Sequence, residues 1–570
     1  MEENFKIAQS LFKQNKYQET IDICNQILST ESKSTEAIKL TAKSFLAIKR
    51  IDDALLYFNK ALNIKSDDYE VIKDLGNIYK AFGDINNAKN YYQKAIAINT
   101  SYAPALTNLG SIELATGNQK KALSLLIKAT ECDPQLAPAW GNLANAYYQL
   151  KKIEKAEDAC RKAIELNPEL FNSYFQLGSI LILQNKLKEA EQSLRKTIEL
   201  KPDFSQAYLN LGAVLKDLEQ LQESEILTRK AIELNPNLVN AHFLLGNIFI
   251  GQNKLKEAEQ SLCKTIELKP DFFQAHINLG AVLQDLGNLK EAELSIRKAI
   301  AIKPDFAEAH SNLGGILSDL GKLEEAELSL RKAIELNPNF AEAYWNLSLI
   351  ELLHGNYKNG LENYEFRFQT KEPIIPHGQL KIKKVTNEKV QKGEKLLIVS
   401  EQGLGDTLQY MRYIPYLRSK GIDVSFSAQT KLHSLIQSSC IDQNPLTPNQ
   451  ANTISEGKWI PLLSLPRYLQ ISPQNPIISE PYIYSTDELN QKWKDILSKD
   501  RRPIIGINWQ GNPEMEKNYQ GRSIPLEEFL ILTINNEITM LSLQKGFGSD
   551  QLNHCSFKNK FIECQPQIDL

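Results

Sequence analysis

An aspartate at the end of a glycine-rich turn is the residue best placed to do chemistry in this chain. Asp406 sits in Ser400-Glu401-Gln402-Gly403-Leu404-Gly405-Asp406-Thr407. The apolar run Lys395-Leu396-Leu397-Ile398-Val399 before it reads as a buried parallel strand, and Leu408-Gln409-Tyr410-Met411-Arg412-Tyr413 after it as the start of a helix. A glycine turn between strand and helix lets a ligand approach the backbone and aims free N–H groups at it. Asp406 is a candidate general base. An aspartate there also serves as a helix N-cap, holding N–H groups that the helix leaves unpaired.

A second set of candidate residues is a ladder of amides. Asn108, Asn142, Asn210, Asn278, Asn312 and Asn346 recur in one register, with Asp74, Gln176 and Leu244 in the remaining slots. Amide side chains both donate and accept, so a row of them can clamp an extended peptide backbone without reading its sequence. The competing reading is hydrogen bonding within the helix or to the neighbouring repeat. His242, His276 and His310 also recur at one register, but neighbouring helices pack roughly 10 Å apart. That separation is too wide for shared metal ligation, where Zn–N is about 2.0 Å. The histidines therefore read as stand-ins for Tyr208 and Tyr344, which occupy the same slot.

The elements that position the ladder follow from a strict period. Pro134, Pro168, Pro202, Pro236, Pro270, Pro304 and Pro338 recur every 34 residues. Gly76, Gly110, Gly178, Gly212, Gly246, Gly280 and Gly314 keep the same step, with Ala144 and Ser348 in two slots. So do Ala54, Ala88, Ala122, Ala156, Ala190, Ala258, Ala292 and Ala326, with Ser224 in the gap. The pattern closely resembles the tetratricopeptide repeat and implies about eleven helix pairs over residues 1–370. Such arrays stack into a right-handed superhelix, with the first helix of each pair lining the concave face. The small residues let two helices approach closely, and each proline is expected to start the next unit. Gly83, Gly117, Gly287, Gly321 and Gly355 fall at the turn inside each pair, where positive φ costs glycine little. Lys151, Asn185, Glu219 and Asn253 take that slot elsewhere, so those turns are expected to be strained. The asparagine ladder resembles the one in the repeat domain of O-linked N-acetylglucosamine transferases, where asparagines hold the substrate polypeptide.

The charge of −3 over 570 residues gives no electrostatic support for a nucleic-acid or membrane-surface role. Seven scattered cysteines without a C-x-x-C pair, a polar N-terminus and no apolar run of membrane length lead to the expectation of a cytoplasmic protein with reduced thiols. Tyr357, Tyr364 and Phe368 share one side of a last helix and are expected to dock the repeats on the next domain. Residues 371–394 read as a linker or a covering arm.

From residue 395 strands alternate with helices. Lys395–Ser400, Asp423–Ala428, a short strand at Trp459, Pro503–Gly511 and Ile538–Leu543 read as strands, and Asp406–Lys420, Lys431–Ser438, Asp487–Ser498 and Pro525–Leu532 as helices. This alternation argues a doubly wound parallel sheet, and two glycine turns after two strands suggest two Rossmann-like halves facing a cleft. Gln402-Gly403-Leu404-Gly405-Asp406-Thr407, Ser464-Leu465-Pro466, Asn508-Trp509-Gln510-Gly511-Asn512-Pro513, Arg522-Ser523-Ile524-Pro525-Leu526 and Ser542-Leu543-Gln544-Lys545-Gly546 occur in that order. The ordered set behind such repeats resembles bacterial tetratricopeptide-repeat proteins with a C-terminal GT-B domain, similar to heptosyltransferases and to O-linked N-acetylglucosamine transferases.

That resemblance implies an acceptor-side half over 395–500 and a partial donor-side half over 501–570. It implies an inverting hexosyl- or heptosyltransferase that moves a sugar from a nucleotide-sugar donor, its substrate, to a protein or glycan acceptor, with no cofactor; the histidines and carboxylates show no ligand spacing, so no metal is expected. By the same resemblance Asp406 aligns with the general base, and Gly403 and Gly405 face the cleft. The leaving diphosphate needs cations and N–H groups, for which Gly511, Arg522 and Lys545 are the candidates. The relatives continue past the Leu-Gln-Lys-Gly segment, whereas residues 501–570 fall short of the roughly 100–150 residues of a full domain, so the donor half is expected to be truncated. The alternative is a non-catalytic adaptor that binds a protein or peptide in its repeats and carries a vestigial transferase domain.

Overall fold

The structure is a computed structural model that describes residues 2–401, 403–477, 480–498, 500–511, 523–533, 537–544 and 546–562. Twenty-two consecutive α-helices run from Glu2–Lys13 to Tyr357–Tyr364, in eleven successive pairs. The chain divides into two compact units, Met1–Pro270 and Asp271–Leu570.

In the first unit, each pair closes around the small-residue slot. A Cβ built on Gly110 would lie 2.7 Å from Leu126 Cγ, and one on Gly178 2.8 Å from Leu194 Cγ. These contacts fall below any real Cβ distance, so glycine is what lets the two helices of a pair touch. The facing alanines Ala54, Ala88, Ala122, Ala156 and Ala190 are fully buried. Ser224 takes that slot once, and its hydroxyl donates to the Gly212 carbonyl at 2.6 Å. A buried polar group is tolerated there because it is hydrogen-bonded.

The turn inside each pair needs a left-handed residue. Gly83 and Gly117 supply it at φ +79° and +83°. Asn15, Lys49, Lys151, Asn185, Glu219 and Asn253 adopt it at φ between 57° and 62° without being glycine. The left-handed conformation costs an L-residue roughly 1–2 kcal/mol, less for asparagine. Glu219→Gly is therefore expected to stabilise the first unit by about 0.5–1 kcal/mol, the gain being trimmed by the greater freedom of glycine in the unfolded chain. Urea unfolding measures it, and an unchanged or lowered midpoint would refute the strain.

The prolines do not start helices. Pro134, Pro168, Pro202 and Pro236 each follow directly on the C-cap of one helix and precede the first residue of the next by three positions, as Pro168 does before Phe171–Leu183. Proline is favoured just past a helix C-terminus because it cannot continue the helix. This corrects the expectation of proline at the helix start.

The second unit continues the repeats through Tyr357–Tyr364 and adds the α/β region. Gly280 again marks close approach, a Cβ there lying 2.5 Å from Ile296 Cδ1. Four parallel strands, β1 (Lys383–Lys384), β2 (Lys395–Val399), β3 (Asp423–Ser427) and β4 (Lys458–Pro461), lie in the order β1-β4-β2-β3. Leu396 pairs with Val424 and Ile398 with Phe426 across β2 and β3. β2 is buried from Leu396 to Val399, as expected for a central parallel strand covered on both faces. Residues 371–394 contribute β1 as well as Val385 and Val390 to the core of this sheet. Three further parallel strands, β5 (Ile504–Ile507), β6 (Thr539–Ser542) and β7 (Phe561–Ile562), form a separate sheet in the order β5-β6-β7.

The helix expected over Asp406–Lys420 is two helices, Leu404–Tyr410 and Tyr413–Ser419. Pro415 lacks an N–H and its ring clashes with the carbonyl four residues back, which breaks the helix at Met411 and Arg412. The segment expected as a helix over Pro525–Leu532 is a 3₁₀ helix, Leu526–Thr533.

Candidate functional site

β2 delivers Ser400 and Glu401 to the end of the sheet, and the chain turns there into Leu404–Tyr410. Gly403 is the N-cap, at φ −65° and ψ 170°. Its N–H donates to Asp406 Oδ2 at 3.1 Å. Thr407, fully buried one residue on, donates to the Gln429 amide oxygen at 2.9 Å. Asp406 is therefore the acidic member of a capping box at the helix start, and its side chain is partly exposed. Neither Gly403 nor Gly405 has a positive φ, and a Cβ on Gly405 would meet nothing within 4 Å. Backbone strain does not demand glycine here; Gly405 leaves open space over the turn, while a Cβ on Gly403 would crowd Asp406 Oδ2 at 3.2 Å.

The residue that fixes this turn belongs to none of the sequence motifs. Arg367 lies in the 3₁₀ helix Glu365–Phe368 that ends the repeats, and it is completely buried. Its Nη2 donates to both oxygens of Glu401, at 2.9 and 3.2 Å, and to Ser464 Oγ at 2.9 Å. Its Nη1 donates to Glu365 at 3.0 Å and to the Tyr364 carbonyl at 2.9 Å. The guanidinium also lies 4.5 Å from the Tyr364 ring centre and 4.0 Å from that of Phe368. Glu401 accepts as well from the Leu463 N–H at 3.0 Å. Burial pushes the Glu401 carboxyl up, against the pull of Arg367 and Leu463. For Arg367, burial lowers and the facing carboxylates raise, and the carboxylates win, so it stays charged. Tyr364 packs on the core of the four-stranded sheet, and Phe366 stacks on Tyr344 at 4.1 Å. The aromatic face of the last helix thus docks onto the sheet, with an arginine at its centre. A basic residue between aromatics at 364, 366 and 368 was the available signal.

The second glycine turn follows β5. Trp509 is buried and donates to the Gly548 carbonyl at 3.1 Å. The Gln544 side chain accepts from the N–H groups of Trp509 and Gln510 at 3.0 and 2.8 Å and donates back to the Gln510 carbonyl at 2.8 Å. The motifs at Trp509-Gln510 and Leu543-Gln544 therefore hold each other. Gly511 is exposed, and its N–H donates to Ser523 Oγ at 3.0 Å. No hydrogen bond among the described residues joins Gly511 to the Gly403–Asp406 turn. Arg522 and Lys545, with Gln402, Asn512 and Pro513, lie outside the described residues.

The amides of the ladder behave differently from one another. In the first unit, Asn108 donates to Asn77 at 2.8 Å on the neighbouring repeat, and Tyr92 donates to the same oxygen at 2.8 Å. Asn210 accepts from Gln206 within its own helix at 3.0 Å. Asn142 is half-buried with no side-chain hydrogen bond among the described residues, and it lines a cavity of about 540 Å³. In the second unit, Asn278, Asn312 and Asn346 are likewise half-buried, and Asn312 and Asn346 have no side-chain hydrogen bond among the described residues.

The histidine slot has a structural use. His242 Nε2 donates to the Pro236 carbonyl at 2.9 Å, and Trp140 Nε1 donates to the Pro134 carbonyl at 3.0 Å in the same register. In the second unit His310 Nε2 donates to Pro304 at 2.9 Å. A ring N–H six residues after the proline thus ties down the turn between repeats. Among the described residues, no group of three or more His, Cys, Asp or Glu is placed to hold a metal ion, and no helix is long and apolar enough to cross a membrane.

Comparison with known proteins bears on the repeats. Residues 6–272 match the family model of the cilia and flagella-associated protein 70 C-terminal domain, and residues 273–306 and 307–340 each match a tetratricopeptide-repeat model. Among solved structures the chain is similar to YrrB, described as a TPR protein with an unusual peptide-binding site. That match is 28% identical and covers 32% of this chain and 95% of that one, at a TM-score of 0.30. It is similar to Pseudomonas aeruginosa PilF at 21% identity, covering 36% of this chain and 94% of that one, with a TM-score of 0.34. It is also similar to the Cut9–Hcn1 hetero-tetramer of the APC/C at 14% identity, covering 64% and 86%, with a TM-score of 0.37. No curated protein sequence matches the chain.

Proposed function

This chain is a tetratricopeptide-repeat protein, and we propose that it is a scaffold that captures an extended segment of a partner polypeptide on the first helices of its repeats. The observation that carries the reading is the set of half-buried amides, Asn142, Asn312 and Asn346, left without a side-chain hydrogen bond among the described residues. A half-buried amide left unpaired is costly unless water or a partner satisfies it. A partner backbone supplies both a donor and an acceptor at each residue. Replacing all three by alanine is expected to weaken capture of peptides on an array of capped decapeptides by at least tenfold, with an unchanged melting temperature. Capture at undiminished strength would remove the clamp.

A second reading is sugar transfer from a nucleotide-sugar to a bound protein or glycan acceptor. It draws on two parallel sheets, each with a glycine turn after a strand, and on the partly exposed carboxylate of Asp406. In that reading Asp406 removes the acceptor proton, and Gly511, Arg522 and Lys545 meet the leaving diphosphate. Titration calorimetry with a panel of nucleotide-sugars separates the two. Micromolar binding favours transfer, and the absence of heat favours the adaptor.

A further inference from the structure

The cavity beside Asn142 lies between the helices Ala137–Gln149 and Phe171–Leu183 in the first unit. Its lining holds amides, hydroxyls and apolar groups, and no Lys, Arg, Asp, Glu or His. At about 540 Å³ it is within the usual range of roughly 300–1,000 Å³ for ligand pockets.

Gly141 opens it. The same register carries Thr107 one repeat earlier and Phe175 and Leu209 in the next two repeats. Gly141 is mid-helix with no positive φ, so the backbone does not require glycine. A Cβ there would meet only Ser173 Oγ, at 3.2 Å, a tight contact that asks the buried serine to give by a few tenths of an ångström. Glycine in a helix interior costs about 1 kcal/mol against alanine. What it leaves is space toward the cavity. With its amide turned to suit its neighbours, Gln176 reaches across that space, donating to the Gly141 carbonyl at 3.2 Å and accepting from the Asn145 N–H at 2.8 Å. The floor is therefore set. Phe175 forms a fixed apolar wall, held edge-on by Phe204 at 4.9 Å. Asn142 and the exposed Asn172 flank the opening, each without a side-chain hydrogen bond among the described residues.

We infer that this cavity seats one aromatic or large aliphatic side chain of an uncharged, extended polypeptide segment, whose backbone is held by Asn142 and Asn172. The inference rests on the scaffold reading above and adds selectivity to it. A charged side chain would be desolvated there with no counter-charge, which is unfavourable. A large neutral side chain gains the Phe175 wall.

The test uses the full chain on an array of capped, uncharged dodecapeptides with a central Phe, Tyr, Leu or Ala. Counterparts have Asp or Lys on either side of the central residue. Peptides with Phe, Tyr or Leu are expected to bind at least tenfold more tightly than those with Ala and than either charged set. Gly141→Leu, which restores the residue type of Leu209, is expected to abolish that preference. Gly141→Thr, which copies the residue type of Thr107, serves as a gentler filling variant, and circular dichroism confirms the fold of both. Selective capture lost in both variants supports the pocket. Capture that Gly141→Leu leaves unchanged, or that favours the charged set, overturns it while leaving the scaffold reading intact. Failure of every peptide, charged or neutral, overturns both.

Discussion

Arg367→Ala is expected to destabilise the second unit by about 3–5 kcal/mol, because it leaves a buried carboxylate with its cation removed. Glu401 is buried, accepts from Arg367 at 2.9 and 3.2 Å, and among the described residues keeps only the Leu463 N–H once the arginine is gone. The aromatic sandwich of Tyr364 and Phe368 loses its filling in the same step. Arg367→Lys is expected to recover little, since an ammonium cannot reach Glu401, Glu365 and Ser464 together or lie flat between two rings. The double variant Arg367→Met, Glu401→Gln removes both charges and is expected to regain at least half the loss. Urea unfolding followed by tryptophan fluorescence reads this out, with Trp459 in β4 as a local probe. A cost below about 1 kcal/mol for Arg367→Ala would mean that water reaches Glu401 and screens it. Such a result would sink the view that this arginine locks the last repeat to the turn carrying Asp406.

The repeats were legible because their causes are local and periodic. Glycine at the slot of Gly110 and Gly280, facing Ala122 and Ala292, states how near two helices come. The 34-residue step repeats that statement along the array. The strain at Lys151 and Glu219 was legible for the same reason: one register, one backbone conformation. The prolines were legible only to within three residues, because exclusion from a helix interior is shared by helix starts and helix ends and only the caps distinguish them. Arg367 was hidden because its partners Glu401 and Ser464 lie far along the chain, and no spacing rule joins a 3₁₀ turn to a strand end. In the α/β region the motifs at Trp509-Gln510 and Gln544 were legible as a set, but not as partners of each other. Asp406 looks alike as a cap and as a base from sequence, and the structure supplies the hydrogen bond from Gly403. A buried acid in the repeats also left a trace. Glu113 and Glu351 occupy a register that elsewhere carries Tyr147, Leu181, Leu215, Phe249, Leu283 and Leu317.

Glu113 yields the second large prediction, a loss of stability in acid that stems from that register. Its side chain is buried on the helix Ala103–Ala115; Oε2 accepts from Lys89 at 3.0 Å and Asn118 at 2.7 Å, and Oε1 forms an ion pair with Lys121 at 2.9 Å. Burial pushes the carboxyl up, but Lys121, Lys89 and Asn118 outweigh it and hold it at about 2, below an ordinary value of 4.5. The folded form therefore binds its proton less readily than the unfolded form. The stability this confers is fully present above pH 4.5 and is lost as pH falls toward 2. Each tenfold change in proton affinity is worth about 1.36 kcal/mol, so the effect is on the order of 3 kcal/mol from this residue. Glu157, also held at about 2 against burial by Arg161, Gln184 and Lys186, adds to the same window in the same unit. Glu113→Gln is expected to be less stable at pH 7 by a similar amount, since a neutral amide cannot match two ammonium groups. It is expected to lose correspondingly less between pH 5 and 2. Measuring urea midpoints across that range for both proteins isolates the carboxylate from the rest of the acid response. If the two curves run parallel, Glu113 is not held ionised by its lysines, and its place among leucines needs another cause.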